Sequence, residues 1–207
     1  MRYPKIRELI EAVKALVRGP YTYNFPNKPI EPANRFRGKP EYSNEGCIAC
    51  AACALVCPVR AIEFRDVVTK EKAARKMILH LDECHYCGQC SALCTTRLDN
   101  PPGIKHTKKF DMAGYDRATM VSTTDEKELA LCEACGEVIT AKAHLGWLAK
   151  RLGPLAFSNP TLFVSSLKDM GFSESVLDVV RDGLRARSDR IKILCSKCRR
   201  RATIEKF

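Results

Sequence analysis

No stretch of the 207-residue sequence approaches the roughly 20 apolar residues that a membrane-spanning helix needs. The first residues, Met1 to Val17, mix charged and apolar side chains throughout, which argues against a secretory signal peptide. There is no Gly-rich phosphate loop with its lysine and no Gly-x-Gly-x-x-Gly, so nucleotide chemistry has no visible seat. The four histidines, His80, His85, His106 and His144, have no metal-binding spacing. These absences predict a chain on the cytoplasmic side, without a transmembrane segment of its own and without a catalytic constellation. An apolar share of 45% and a charged share of 29% are those of a globular protein and exclude low-complexity disorder. The length suits one ordinary domain or two small ones.

Cysteine is what the sequence has in excess. There are twelve, and every one lies in a Cys-x-x-Cys step or at a fixed offset from one. Disulfide frameworks belong to small secreted domains with a signal peptide, so metal ligation is the better reading. Ligand cysteines bind as thiolates, which changes the charge arithmetic. The formal net charge is +11 with neutral thiols. Twelve thiolates shared among three metal centres, each about −2 with its four ligands, would bring the total to about +5. The basic balance is then partly a counter-charge for metal, and no nucleic acid partner is expected. The tail residues Lys197, Arg199, Arg200, Arg201 and Lys206 could touch nucleic acid, but a solvated tail or one docked on an acidic partner is the plainer reading.

Cys47, Cys50, Cys53 and Cys57-Pro58 form a Cys-x-x-Cys-x-x-Cys-x-x-x-Cys-Pro run, and Cys84, Cys87, Cys90 and Cys94 repeat it 37 residues later. Three closely spaced thiolates on one loop can cap three corners of a cubane. In two-cluster ferredoxins the fourth cysteine ligates the other cluster. The pattern therefore assigns Cys47, Cys50, Cys53 and Cys94 to one 4Fe-4S cluster, and Cys84, Cys87, Cys90 and Cys57 to a second. Two zinc sites would leave the third cysteine of each run unexplained. The second copy departs from the pattern at Thr95, where proline is usual. Small residues at Ala49, Ala51, Ala52, Gly88 and Ser91 suit a loop whose amides approach sulfur. Ile48, Leu55, Val56, Ile62 and Leu93 are expected to keep water away. His85 could tune a cluster, although an ordinary loop histidine is the simpler reading.

Around these runs the chain divides into four. Residues 1–46 hold an amphipathic helix from Pro4 to Arg18 and a proline-rich extended arm. Ile6, Leu9, Ile10, Val13, Leu16 and Val17 make the helix stripe, and Gly19-Pro20 ends it. Residues 47–99 are the two-cluster domain, with strand-like runs at Ala61–Val68 and Met77–Leu81 joined by a charged turn, Thr69–Lys76. Residues 100–130 read as a linker segment packing on partners. Residues 131–207 carry Cys132-x-x-Cys135 and Cys195-x-x-Cys198, two knuckles that fit one tetrahedral four-thiolate site. Zinc is the expected ion, with a single rubredoxin-like iron or free thiols as alternatives. The 59 residues between the knuckles read as helical. Candidate helices run from Ala141 to Leu152 and from Pro160 to Met170. A third would be capped by Ser173 with Val176, Leu177, Val180 and Leu184 buried, and Arg190–Leu194 would be a short strand. The fold class is α+β: a bacterial-type two-cluster ferredoxin domain with an N-terminal helix and arm, and a zinc-ribbon- or rubredoxin-like module with a helical insertion.

The segment Phe36-Arg37-Gly38-Lys39-Pro40-Glu41-Tyr42, followed by Cys47-Ile48-Ala49-Cys50, resembles the two-cluster ferredoxin subunit of respiratory complex I. It resembles even more the equivalent subunit of group 4 nickel–iron hydrogenases and formate hydrogenlyases. His106-Thr107-Lys108-Lys109-Phe110-Asp111-Met112-Ala113, with Tyr115 and Arg117, is similar to the family's segment after the second motif. The likeness covers roughly residues 4 to 130. The Cys132/Cys198 module is similar to that of the longer, formate-hydrogenlyase-type member. The resemblance implies a non-catalytic electron-transfer subunit, peripheral on the cytoplasmic side of the cell membrane. Its partners would be other iron–sulfur and catalytic subunits, and a membrane subunit met by the N-terminal helix unless that stripe packs on this chain's own core. A free ferredoxin, or a subunit of a soluble oxidoreductase, is the alternative.

Overall fold

Apolar residues at intervals of three and four, with Glu8 in the first turn and Arg18 in the last, give helix α1, Ile6–Arg18. The Glu8 carboxylate accepts a hydrogen bond from the Lys5 backbone N–H at 3.0 Å. None of its residues is buried. The computed structural model describes residues 5–20, 22–171 and 192–204. The chain forms two units, Met1–Phe36, which contains α1, and Arg37–Phe207. Among the described residues no helix is long and apolar enough to cross a membrane.

The second unit is built on an antiparallel hairpin of β2, Ile62–Val68, and β3, Ala73–His80. The turn is shorter than its charge suggests. Thr69 closes it by donating from its backbone N–H to the Lys72 carbonyl at 2.7 Å, so only residues 69–72 turn. Ala73–Lys76 belong to the strand, because Arg75 sits opposite Asp66 in the ladder and is neutralised there. The Arg75 Nε and Nη2 donate to the two Asp66 carboxylate oxygens at 2.7 and 2.8 Å, and its Nη1 donates to the Ala49 carbonyl at 3.2 Å. The guanidinium also lies 4.5 Å from the centroid of Phe64. Asp66→Ala would leave this buried cation without its counter-ion. Arg75 is buried but Asp66 lies on the exposed side of the pair, so the loss is expected to be about 2 kcal/mol, less than for a fully buried pair. A drop in thermal midpoint would register the loss, and Asp66→Leu combined with Arg75→Met should recover most of it.

β3 is the central strand and carries Met77 and Leu79, both fully buried. Residues 100–130, expected as a linker, instead supply strands to this chain's own sheets. β4, Ile104–His106, pairs with β1, Pro40–Tyr42. β5, Val121–Thr123, pairs with the end of β3, and β6, Lys127–Leu131, with its start. β7, Val138–Ala141, then pairs with β6. Three-residue strands have too little periodicity to be legible in sequence. One-turn helices α2, Ala52–Leu55, and α3, Gln89–Ala92, follow the first two cysteines of each motif and carry the third, Cys53 and Cys90.

The insertion between the knuckles is not wholly helical, since β7 occupies its start. Helices α4, Lys142–Leu152, and α5, Pro160–Asp169, lie close to the expected spans, joined by a 3-10 turn at Gly153–Ser158. Asn159 caps α5, its side-chain oxygen accepting from the N–H groups of Thr161 and Leu162 at 3.0 and 3.3 Å. The helix expected after Ser173, and the first two residues of the Arg190–Leu194 strand, lie outside the described residues. Ile193 and Leu194 are irregular rather than β. α6, Ser196–Ile204, ends the described chain. The Trp147 indole N–H donates to the Asp99 carboxylate at 2.6 Å, tying α4 to the segment after the second cysteine run.

Candidate metal centres

Each cysteine loop needs a left-handed turn to bring three sulfurs to one side. In the first loop Ala49 and Ala51 take φ of 50° and 64°. At the equivalent positions 37 residues on, Tyr86 and Gly88 take 51° and 83°. The internal repeat is thus a repeat of backbone conformation. Only Gly88 adopts it without a steric penalty. The Arg75 hydrogen bond to the Ala49 carbonyl, and one from Arg37 Nη1 to the Cys87 carbonyl at 2.6 Å, hold the two loops.

Cys47, Cys50, Cys53 and Cys94 line one cavity, together with Tyr42, Met77 and Ile104. Cys57, Cys84, Cys87 and Cys90 line a second, with Val59, Ile62 and Leu79. Each cavity therefore takes three sulfurs from one motif and the fourth from the other. Burial pushes the Cys53 thiol up to about 12 and the Cys90 thiol to about 11, and raises Cys47 and Cys84 as well. Buried sulfurs of this kind ionise only against a cationic body, which is what an iron–sulfur core supplies. The donor set and the apolar walls fit a cluster. Leu55 and Leu93 do not serve as walls. They are 82% and 55% exposed, at the ends of the one-turn helices.

Hydroxyl groups approach the first cavity's sulfurs. Thr95 Oγ1 lies 3.2 Å from Cys50 Sγ, and Tyr42 Oη 3.7 Å from Cys53 Sγ. Burial raises the Tyr42 phenol well above its ordinary value, so it remains a donor. Thr96 differs. Its hydroxyl donates to the Gly46 carbonyl at 2.9 Å and accepts from the Gly103 N–H at 3.0 Å, so its one proton is already committed. It stitches the start of the first motif to the end of the second.

The C-terminal sulfurs converge differently. Cys132, Cys135, Cys195 and Cys198 all have Sγ within 4.8 Å of one another, and Cys135 and Cys195 are 3.8 Å apart. Thiolates 2.3 Å from a tetrahedral ion are ~3.8 Å apart, so this spacing matches a single ion. β6 delivers Cys132, and the Gly136 N–H closes the first knuckle on the Cys132 carbonyl at 2.8 Å, with Gly136 at φ 73°. Cys195 precedes α6, whose first turn carries Cys198. Backbone hydrogen bonds cross-link the knuckles, Glu133 N–H donating to the Ile193 carbonyl at 2.9 Å. Burial opposes ionisation of Cys132, but N–H groups of Cys195, Cys135 and Ala134 outweigh it and bring the thiol down to about 6.

Among the histidines, His85 is exposed on the second loop and borders the second cavity, and His80 faces Glu63 at 3.3 Å. His144 bonds Thr140 at 2.8 Å, and burial lowers its ring below the ordinary value. His106, which spacing did not single out, lines the second cavity. Of the basic tail, Lys197 pairs with Glu137 at 3.4 Å and Arg199 donates to the Lys192 carbonyl at 2.7 Å. Lys206 lies outside the described residues.

Two doubled cysteine loops around a β-hairpin define a 4Fe-4S dicluster domain, and residues 46–98 match that family. Beyond the domain, the chain is similar to NAD(P)H-quinone oxidoreductase subunit I of Gloeobacter violaceus, 26% identical over 54% of this chain and 57% of the relative. It is 41% identical to formate hydrogenlyase subunit 6 of Escherichia coli over 29% of this chain and 34% of that one. Subunit I of a Prochlorococcus marinus quinone oxidoreductase is 32% identical over 51% of this chain and 47% of the relative. The chain thus spans about half the length, or less, of the curated relatives it matches. A chain of the archaeal membrane-bound sulfane sulfur reductase aligns over 57% of this chain and 60% of its own at 24% identity, with a TM-score of 0.38.

Proposed function

We propose that this chain is an electron-transfer subunit of a membrane-bound assembly related to complex I and formate hydrogenlyase. It relays single electrons through two 4Fe-4S clusters, one on Cys47, Cys50, Cys53 and Cys94, the other on Cys84, Cys87, Cys90 and Cys57. The observation that carries this reading is the pair of cavities, each lined by three sulfurs of one motif and one of the other. The chain makes and breaks no substrate bond. Its residues hold the clusters, exclude water around them and set their potentials through hydrogen bonds. The Cys132, Cys135, Cys195 and Cys198 module binds one structural ion, for which zinc is the first choice and a rubredoxin-like iron the second. The sulfur spacing supports a single ion of either kind. The apolar stripe of α1 docks on a membrane subunit, and the chain sits peripherally on the cytoplasmic side.

Purification of the native assembly with metal analysis tests the scheme. About eight irons per chain, as two 4Fe-4S clusters require, and one zinc are expected. Much less iron with several zincs would overturn it. A finer prediction concerns Thr95. In a ligated thiolate the sulfur can only accept, so the Thr95 hydroxyl donates to Cys50. Thr95→Val removes a bond of about 1 kcal/mol and should lower the first centre's midpoint by about 40 mV, whereas Thr95→Ser should preserve it. An EPR-monitored redox titration measures both.

A further inference from the structure

His106 ends β4, and its two ring nitrogens meet opposite surroundings. Nδ1 lies 2.8 Å from the Gly38 carbonyl oxygen. A carbonyl only accepts, so Nδ1 carries a proton. Nε2 is buried and is the one side-chain polar atom of that kind without a hydrogen-bond partner among the described residues. Such orphans are rare and call for an explanation. The ring lines the cavity of Cys57, Cys84, Cys87 and Cys90. Ligand sulfurs and inorganic sulfides can accept hydrogen bonds but not donate them, so a bare Nε2 lone pair would find only repulsion there. An Nε2–H would find the acceptor that the protein alone does not offer.

We infer that His106 donates an Nε2–H hydrogen bond to the sulfur of the second cluster and is a determinant of that cluster's potential. The inference rests on the two-cluster reading and adds a residue outside the ligand set. An N–H aimed at sulfur from this ring plays at the second site the part that the Thr95 hydroxyl plays at the first. Its hydrogen bond strengthens as negative charge accumulates on sulfur, so it favours the reduced state. Gly38 fixes the ring's orientation. A side chain at Gly38 would collide with the Thr107 and Lys109 carbonyls, so the segment before β1 that carries that acceptor stays close.

The test is an EPR-monitored redox titration of the full chain with both clusters loaded, comparing wild type, His106→Phe, His106→Gln and Thr95→Val. His106→Phe should lower one midpoint by an electron affinity of about tenfold, which is 59 mV for a one-electron couple, and leave the other in place. His106→Gln, which keeps an N–H donor, should fall between Phe and wild type. Thr95→Val must shift the other couple. Labelling a His85→Gln protein, which keeps His106, with ¹⁵N in the histidine rings gives a readout independent of substitution at His106: a ¹⁵N hyperfine coupling is expected on the second cluster's signal alone, and His85 cannot supply it. Eight irons per chain with no such coupling, or with His106→Phe moving neither midpoint or the same one as Thr95→Val, would overturn the inference and leave the cluster reading standing. Fewer irons in wild type would instead overturn the cluster reading, and the inference with it.

Discussion

Cys57→Ala is expected to empty the centre formed by the second motif and to leave the first motif's own centre intact. The reason is topological. Cys57 lies in the first run, yet it lines the cavity of Cys84, Cys87 and Cys90. With one thiolate gone, Cys84 and Cys90 face burial that favours the neutral thiol. The three sulfurs that remain, Cys84, Cys87 and Cys90, give a site that holds at most an incomplete cluster. Iron should fall from about eight to about four per chain, with one 4Fe-4S signal surviving. Cys94→Ala is the mirror experiment and should remove the other signal. If each substitution instead removed the cluster of its own motif, the crossed assignment would be wrong and the two loops would be independent sites.

Loss of the C-terminal ion should unfold its module while the visible absorbance of the clusters persists. Among the described residues of this part of the chain, two small apolar groups form, Ala130 with Leu145, Ala156 and Leu162, and Cys132 with Leu194 and Cys195. That is little burial for the described residues. A structural four-cysteine ion typically contributes on the order of 10–16 kcal/mol of apparent binding energy, far more than these contacts. Cys195→Ser should therefore lose one metal ion per chain and open the chain beyond Leu131 to limited proteolysis. Metal analysis separates the alternatives, since a rubredoxin-like site would remove a ninth iron and a zinc site would leave the iron count unchanged. A protease-resistant module without its metal would show that the apolar contacts suffice.

How much of this was legible in the sequence depended on period and spacing. The cysteine runs reveal the 37-residue repeat because ligands must recur at fixed offsets. The α1 stripe and the helices after Ala141 and Asn159 carry enough turns to stand out. β1, β4 and β5 have three residues each and could not. Arg75 and Lys76 disguised the start of β3 as turn, since the cross-strand pairing with Asp66 that lets Arg75 be buried is not visible in local sequence. Around the sites, Thr95 was visible as a departure from proline. His106 was not, because a role defined by one orphaned ring nitrogen leaves no spacing signature. His85, next to Cys84 in sequence, was the visible histidine, and it borders the same cavity from an exposed position.

The pairing of β6 with β3 has a consequence for truncation. Only Ala74 and Arg75 of β3 meet Glu128 and Lys127 of β6 across that seam. A chain cut before Lys127 would keep the hairpin and both cysteine loops, yet the first half of the central strand would become an unpaired edge. Open edges of this kind recruit other strands. In that light the last third of the molecule is a shield as well as a metal site, and a shortened ferredoxin fragment should self-associate through the face that β6 now covers.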